Sequence, residues 1–163
     1  MTENDFDRYI GLYRGAVYSA ALFVVKSQAD ADDIAQDVFL NLYRVKPEFS
    51  SDEHAKAWLL RCAVNESINL VRSYARRNAV PLEDENIPAA AESGTDSEVT
   101  AALDRLSPKL KVVMYLHYYE GYPVEETAKL LKISVAAVKW RLRRGREKLK
   151  DIISEEREEY ERI

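Results

Sequence analysis

An all-α fold of two small helical domains joined by an acidic linker is predicted from three observations. The 163 residues include only five Gly and five Pro and are rich in Leu, Ala, Glu, Lys and Arg, the residues that lose least on entering a helix. Apolar residues recur at helical spacing in separate segments on both sides of the chain's middle. Between them, residues 80–96 (VPLEDENIPAAAESGTD) combine two prolines, a glycine and acids with no apolar period. Residues 1–79 are therefore expected to form a three-helix domain and residues 97–163 a four-helix domain, with 80–96 as the linker.

The first domain's helices are read from apolar periodicity over Phe6–Val25, Ile34–Tyr43 and Ala57–Ala75. The second of these has a marked start. Ser27 and Asp30 have capping-box spacing, and Asp30, Asp32 and Asp33 suit the positive end of a helix dipole. Pro47 stops that helix, and a loop through Ser50 and Ser51 leads to the third. In the third helix Ala57, Leu60, Val64, Ile68 and Val71 are expected to form the core stripe. Beside it Arg61, Asn65, Asn69, Arg72 and Arg76, spaced four, four, three and four, share a second line. Amides and guanidinium groups hydrogen-bond unpaired base edges as well as phosphates, and Trp58 and Tyr74 lie close enough in sequence to stack bases. Read alone, such a line is more often an ordinary polar helix face, and Trp58 more often core. Cys62, the single cysteine, cannot form an internal disulfide and reads as a small buried hydrophobe.

In the second domain four helices are expected: Ser97–Leu106, Pro108–Tyr119, Pro123–Leu131, and Val135 to about Glu155. Ser107 and Pro108 occupy N-cap and N1 positions, Gly121 separates the second from the third, and Ser134 caps the last. Only Lys132–Ser134 separates the last two helices, the spacing of a helix-turn-helix. The aromatic run Tyr115, Tyr118, Tyr119 and Tyr122 is expected to serve core and loop packing.

The last helix carries the chain's strongest charge signal. From Val138 to Lys150, seven cations face one acid in a protein whose formal net charge is −4. At helical spacing Val138, Leu142, Gly145, Leu149 and Ile152 form a buried stripe. The opposite face then carries Ala136, Trp140, Arg143 and Glu147, with Lys139 and Arg144 on its flanks and Arg141, Arg146 and Lys148 nearer the buried edge. In a helix-turn-helix the N-terminal residues of the second helix meet base edges, which makes Ala136, Lys139, Trp140 and Arg143 the readers. A solvated amphipathic helix is the bland alternative for a generic charge run. An exposed tryptophan among cations of one sign, without acids for i,i+4 pairing, argues against it. Membrane-surface binding is disfavoured because Trp140 is the only large apolar residue on that face.

Other function classes find little support. No glycine-rich phosphate loop, nucleophile elbow or zinc spacing is present, and no metal or cofactor is expected. Asp30, Asp33 and Asp37 lie roughly along one helix face and admit a metal-dependent nuclease. Their helix-start role already explains them, and His54 and His117 fall in different predicted domains. The N-terminus MTENDFD has no signal-peptide character, and the longest apolar run, Ala20–Val25, is too short to span a bilayer. A cytoplasmic protein that is not an enzyme and has no small-molecule substrate is the expectation.

Taken together, three stretches are similar to those of the extracytoplasmic-function, or group IV, sigma factors of the sigma-70 family. DADDIAQDVFLNLYR resembles the helix that binds the polymerase clamp, and KAWLLRCAVNESINLVRS the element that recognises and melts the −10 box. LSPKLKVVMYLHYYEGYPVEETAKLLKISVAAVKWRLRRGREKL resembles the −35-binding fourth region. The resemblance implies a second-region domain over 1–79 and a fourth-region domain over 97–163, with core RNA polymerase and promoter DNA as partners. It implies that Asp33, Gln36, Asp37 and Phe39 face the clamp of the large polymerase subunit. Asn65 and Asn69 would help capture a flipped −10 base, with Arg61 beside them and Arg72 and Arg76 on the nearby backbone. Lys139, Trp140, Arg143 and Arg144 would occupy the −35 major groove. The linker would thread near the RNA exit path, and an anti-sigma factor, often membrane-bound, would be a partner. Two residues depart from the pattern. Lys132 stands where the family often has Gly and is expected in a left-handed conformation at a cost of roughly 1 kcal/mol. Trp140 stands where a small residue is common, which leaves the −35 consensus open. The regions typical of larger housekeeping sigma factors are absent, so promoter recognition is expected to need both domains. An autonomous helix-turn-helix regulator, which binds duplex DNA without polymerase, is the alternative.

Overall fold

The computed structural model describes residues 1–78 and 98–162; the acidic tract at 80–96 lies outside the described residues. These residues form seven α-helices and no strand, arranged in two compact units, Met1–Tyr74 and Ala75–Ile163.

The first unit holds α1 (Glu3–Val25), α2 (Gln28–Val45) and α3 (Asp52–Arg77), whose last turn crosses the division between the units. α1 starts three residues before its apolar period, because Thr2 and Asp5 complete a capping box. Asp5 N donates to Thr2 Oγ1 at 3.1 Å and Thr2 N to Asp5 Oδ2 at 2.9 Å. At α2, Ser27 Oγ accepts from Asp30 N at 3.3 Å, while the Asp30 carboxylate accepts the Tyr74 hydroxyl of α3 at 3.2 Å. α1 and α2 both end on left-handed lysines, Lys26 (φ 60) and Lys46 (φ 48), whose amides donate to Leu22 O and Leu42 O. Pro47 follows directly and prevents continuation of α2.

The core brings Val17, Ala21, Val38, Leu42, Leu59 and Ala63 to zero exposure. The buried line of α3 runs through Ala55, Leu59, Ala63 and Ser67, joined by Leu60 and Val64, whereas Ala57, Ile68 and Val71 are only half-buried. The stripe is therefore rotated from the one expected. Small and large side chains share that line, Leu59 being buried as fully as Ala55, Ala63 and Ser67. Ser67 tolerates burial because its hydroxyl donates to Ala63 O at 2.7 Å.

The second unit holds α4 (Glu98–Asp104), α5 (Pro108–Met114), α6 (Val124–Leu131) and α7 (Val135–Glu161). Ser107 caps α5 with Pro108 at its first position. The helix expected through Tyr119 instead changes form, Tyr115–Tyr119 making a π-helical turn in which Glu120 N bonds Tyr115 O at 3.1 Å. Gly121 (φ 78) then reverses the chain. Lys132 adopts φ 56, ψ 44, the left-handed turn expected of it, and Ile133 N closes the end of α6 by bonding Ala128 O. Ser134 Oγ accepts from Ala137 N at 3.0 Å and starts α7. α7 packs against α4, α5 and α6 and continues about two turns past its expected end. Its buried residues are Val138, Leu142, Gly145 and Ile152, with Leu149 half-buried.

Candidate nucleic-acid interface

With Val138 and Leu142 at 0% and 3% exposure, the roll of α7 about its own axis is determined, and so is the face left in water. Ala136, Lys139, Trp140 and Arg143 are all exposed, the indole by 53%. All four sit in the first three turns after the Ser134 cap. Arg144 is half-buried and lies 3.8 Å from Glu147, an i,i+3 pair absent from the sequence expectation of unpaired cations. Arg146 donates to the Tyr118 hydroxyl at 3.0 Å. Tyr115 is buried, and that burial, with the Glu120 carboxylate nearby, pushes its hydroxyl up to about 12. Tyr118 and Tyr119 are 53% and 62% exposed, so the aromatic run is only partly core: Tyr118 meets Arg146 of α7, while Tyr119 stacks on Tyr115.

On α3, Asn65, Asn69, Arg72 and Arg76 are exposed and Arg61 half-buried, so the amide and guanidinium line faces water along the helix. Trp58 is half-buried and packs edge-on to Phe49, centroids 5.9 Å apart, as a core residue does. Tyr74 is tied to Asp30. Cys62 accepts a long contact from Asn41 Nδ2 at 4.0 Å, and burial pushes its thiol up, away from the reactive thiolate.

On α2, Asp33, Gln36 and Asp37 are exposed, but Phe39 is 8% exposed and belongs to the core cluster. Phe39, expected on the same partner-facing side as Asp33, Gln36 and Asp37, thus packs inward, about 100° round the helix from its exposed neighbour Leu40. The exposed apolar residues are Leu40 (60%), Tyr43 (52%) and Val45 (57%). Gln36, Leu40 and Tyr43 follow one helix face at spacings of four and three, a signal present in the sequence but hidden by the general apolarity of the segment. Asp37, Leu40, Asn41, Tyr43, Arg44 and Glu66 line one shallow cleft. There, burial and the Asp37 charge raise the Glu66 carboxyl above the usual carboxylate range.

The two histidines serve the backbone. Ser50 N donates to His54 Nδ1 at 3.1 Å, and His117 Nδ1 donates to Tyr122 O at 2.8 Å. Among the described residues no three of His, Cys, Asp and Glu are grouped to hold a metal ion, and no helix is long and apolar enough to cross a membrane.

Comparison with known proteins places these faces in context. The sigma-70 region 2 family matches residues 9–77, and the sigma-70 region 4 family matches residues 96–149. The chain is 32% identical over 141 residues to the ECF RNA polymerase sigma factor SigL of Mycobacterium tuberculosis, covering 80% of this chain and 78% of that one. It is 26% identical over 159 residues to SigX of Bacillus subtilis, covering 88% and 80%. A similar match to SigE of Mycolicibacterium smegmatis, 26% over 159 residues, covers 91% of this chain but spans only 62% of that relative's length. Two solved structures share the fold, each at 24% identity. The sigma factor RpoE in complex with the anti-sigma factor NepR from Bartonella quintana has a TM-score of 0.71, covering 92% of this chain and 97% of that one. CnrH in complex with the cytosolic domain of CnrY has a TM-score of 0.68, covering 94% and 90%.

Proposed function

This chain belongs to the extracytoplasmic-function group of the sigma-70 family, and from that premise we propose that it is the subunit that directs RNA polymerase to promoters and helps open them. The observation that carries this reading is the presence of two exposed nucleic-acid faces of different chemistry in one chain. One is cationic with base-reading positions on α7, and the other is amide-rich on α3.

On α7, cations neutralise phosphates and release counterions, which supplies affinity without sequence preference. Lys139, Trp140 and Arg143, on the first turns after the cap, meet base edges of the −35 duplex, with Ala136 leaving room beside them and Arg144 at the flank. On α3, Asn65 and Asn69 offer paired donors and acceptors to the edge of an unpaired −10 base. Arg61, Arg72 and Arg76 hold the adjacent backbone. A duplex presents only its groove edges, so a face built for an open strand fits a protein that acts during melting. An autonomous duplex-binding regulator has no use for it.

The α2 face carries Asp33, Gln36 and Asp37 toward core RNA polymerase, with Leu40 and Tyr43 supplying the apolar contact in place of Phe39. An anti-sigma factor is a further partner in this reading, since the structurally similar RpoE was solved with the anti-sigma factor NepR. The site of action is cytoplasmic, where polymerase and DNA are. Residues 1–79 and 97–163 are the two promoter-binding domains and 80–96 their tether. Polymerase supplies the phosphoryl chemistry, and this chain contributes none.

Run-off transcription with purified core polymerase on a genomic fragment library tests the proposal. Discrete start sites are expected only when the chain is added. Stable duplex binding by the chain alone, with no change in start sites, supports the autonomous regulator instead.

A further inference from the structure

Trp140 is the anomaly of the α7 surface. The apolar residues on either side of it in sequence, Val138 and Leu142, are fully packed, yet the indole stands 53% exposed between the exposed cations Lys139 and Arg143. One turn earlier Ala136, also exposed, presents only a methyl group, so nothing on its own helix crowds the ring from that side.

An indole offers broad apolar faces and a single N–H donor, with no acceptor. Base edges in the major groove offer hydrogen-bond donors, acceptors and one apolar group, the C5-methyl of thymine. Against cytosine, the ring would cover an amino donor and leave it unsatisfied, and adenine presents the same difficulty at N6. Guanine offers acceptors for the N–H but no apolar surface for the ring. Thymine alone sets a methyl beside an acceptor, O4, and so matches both parts of the side chain.

We propose that Trp140 is a specificity-determining residue that selects a thymine in the upstream duplex element by packing on its C5-methyl group. The inference rests on the duplex-reading role of α7 proposed above and specifies what that face reads. Lys139 and Arg143 then provide the charge-assisted contacts on either side, and Trp140 decides the base between them.

The test uses holoenzyme assembled from the full chain and core polymerase. Promoter fragments are first selected from a library randomised in the upstream element, and each thymine of the selected element is then replaced by deoxyuridine, which keeps pairing and O4 and removes only the methyl. At one position the replacement is expected to weaken binding about fourfold, the effect of exposing one buried methyl group. Holoenzyme carrying Trp140→Ala should lose both the thymine preference and the methyl sensitivity, and Trp140→Phe should retain part of each. Because the side chain is exposed, neither substitution disturbs the core. Equal binding of thymine and deoxyuridine at every position, or an undiminished methyl effect in Trp140→Ala, overturns the inference. So does a tryptophan effect that appears only on pre-melted templates, which would mean stacking on an unpaired base. If the unsubstituted chain binds fragments with and without any upstream element alike, the duplex-reading role of α7 itself falls.

Discussion

Gly145 lies directly beneath Met114: a Cβ built on the glycine would stand 3.1 Å from Met114 Sδ and 3.2 Å from its Cγ. The contact joins the middle of α7 to the end of α5, just where the α-helix gives way to the π-turn. A glycine in a helix interior costs about 1 kcal/mol against alanine, so its place here answers to the thioether above it.

Gly145→Ala should consequently change stability by less than about 1 kcal/mol, the gain in helix propensity offset by a small shift of the flexible methionine. Gly145→Leu has no such escape and should destabilise by about 1–3 kcal/mol through overpacking. Urea unfolding followed by circular dichroism distinguishes the two. A leucine variant as stable as the parent would show that this contact is not tight in solution.

Three turns rest on left-handed lysines, and Lys132 governs the angle at which α7 is presented. Replacing it with glycine relieves the Cβ clash of that conformation and should stabilise the second unit by up to about 1 kcal/mol, less what glycine adds to unfolded-state freedom. The control Lys129→Gly, inside α6, should destabilise by a similar amount. Thermal melts of both variants supply the measurement, and a destabilised Lys132→Gly would contradict the assigned backbone geometry.

The reciprocal hydrogen bonds at the start of α1 carry a pH signature. Donation from the Thr2 amide, followed by the interaction with the Thr2 side chain, holds the Asp5 carboxyl below its usual range, with Arg8 adding a smaller charge effect. A carboxyl depressed in the folded state contributes stability above its unfolded pKa, and that contribution is lost as pH falls through the folded value. Thr2→Val removes the hydroxyl while leaving the backbone amide, so the Asp5 midpoint should move upward, toward the ordinary value. An NMR titration of the side-chain carboxyl reads this directly; an unmoved midpoint would mean that the hydroxyl does not help hold the Asp5 carboxyl down and that the Thr2 amide does so without it.

The two nucleic-acid faces should separate in function. Arg143→Glu or Lys139→Glu is expected to reduce upstream-element-dependent transcription by at least tenfold without weakening association with core polymerase, since both side chains belong to a different compact unit from the α2 face. Asn65→Ala should instead leave initial docking intact and impair opening. Permanganate reactivity of the −10 thymines reports the melted state, and normal reactivity in Asn65→Ala would remove that residue from the open-strand role. Loss of polymerase association in the α7 variants would equally undo the division of labour.

Helix existence, the punctuation between helices and the water-facing side of α7 were all legible in the residues. Their causes are local: apolar spacing, Ser and Pro at starts, a turn too short for anything but a helix-turn-helix. Capping at Thr2 was equally local, written in a Thr-x-x-Asp spacing that lies just ahead of the first apolar period. The rotation of α3 about its axis was different in kind. Ala55, Leu59, Ala63 and Ser67 form its most buried line, and no periodicity confined to α3 reports which of its sides the neighbouring helices cover. The same holds for Phe39 and Leu40, adjacent and both apolar, one 8% and the other 60% exposed. The π-turn at Tyr115–Tyr119, too, has no mark in the apolar spacing, which runs on through it. Sequence by itself thus determined which segments are helices and which chemistry they carry. Tertiary packing alone decided the roll of α3 and the burial of Phe39 beside exposed Leu40, because burial is a property of neighbours distant along the chain.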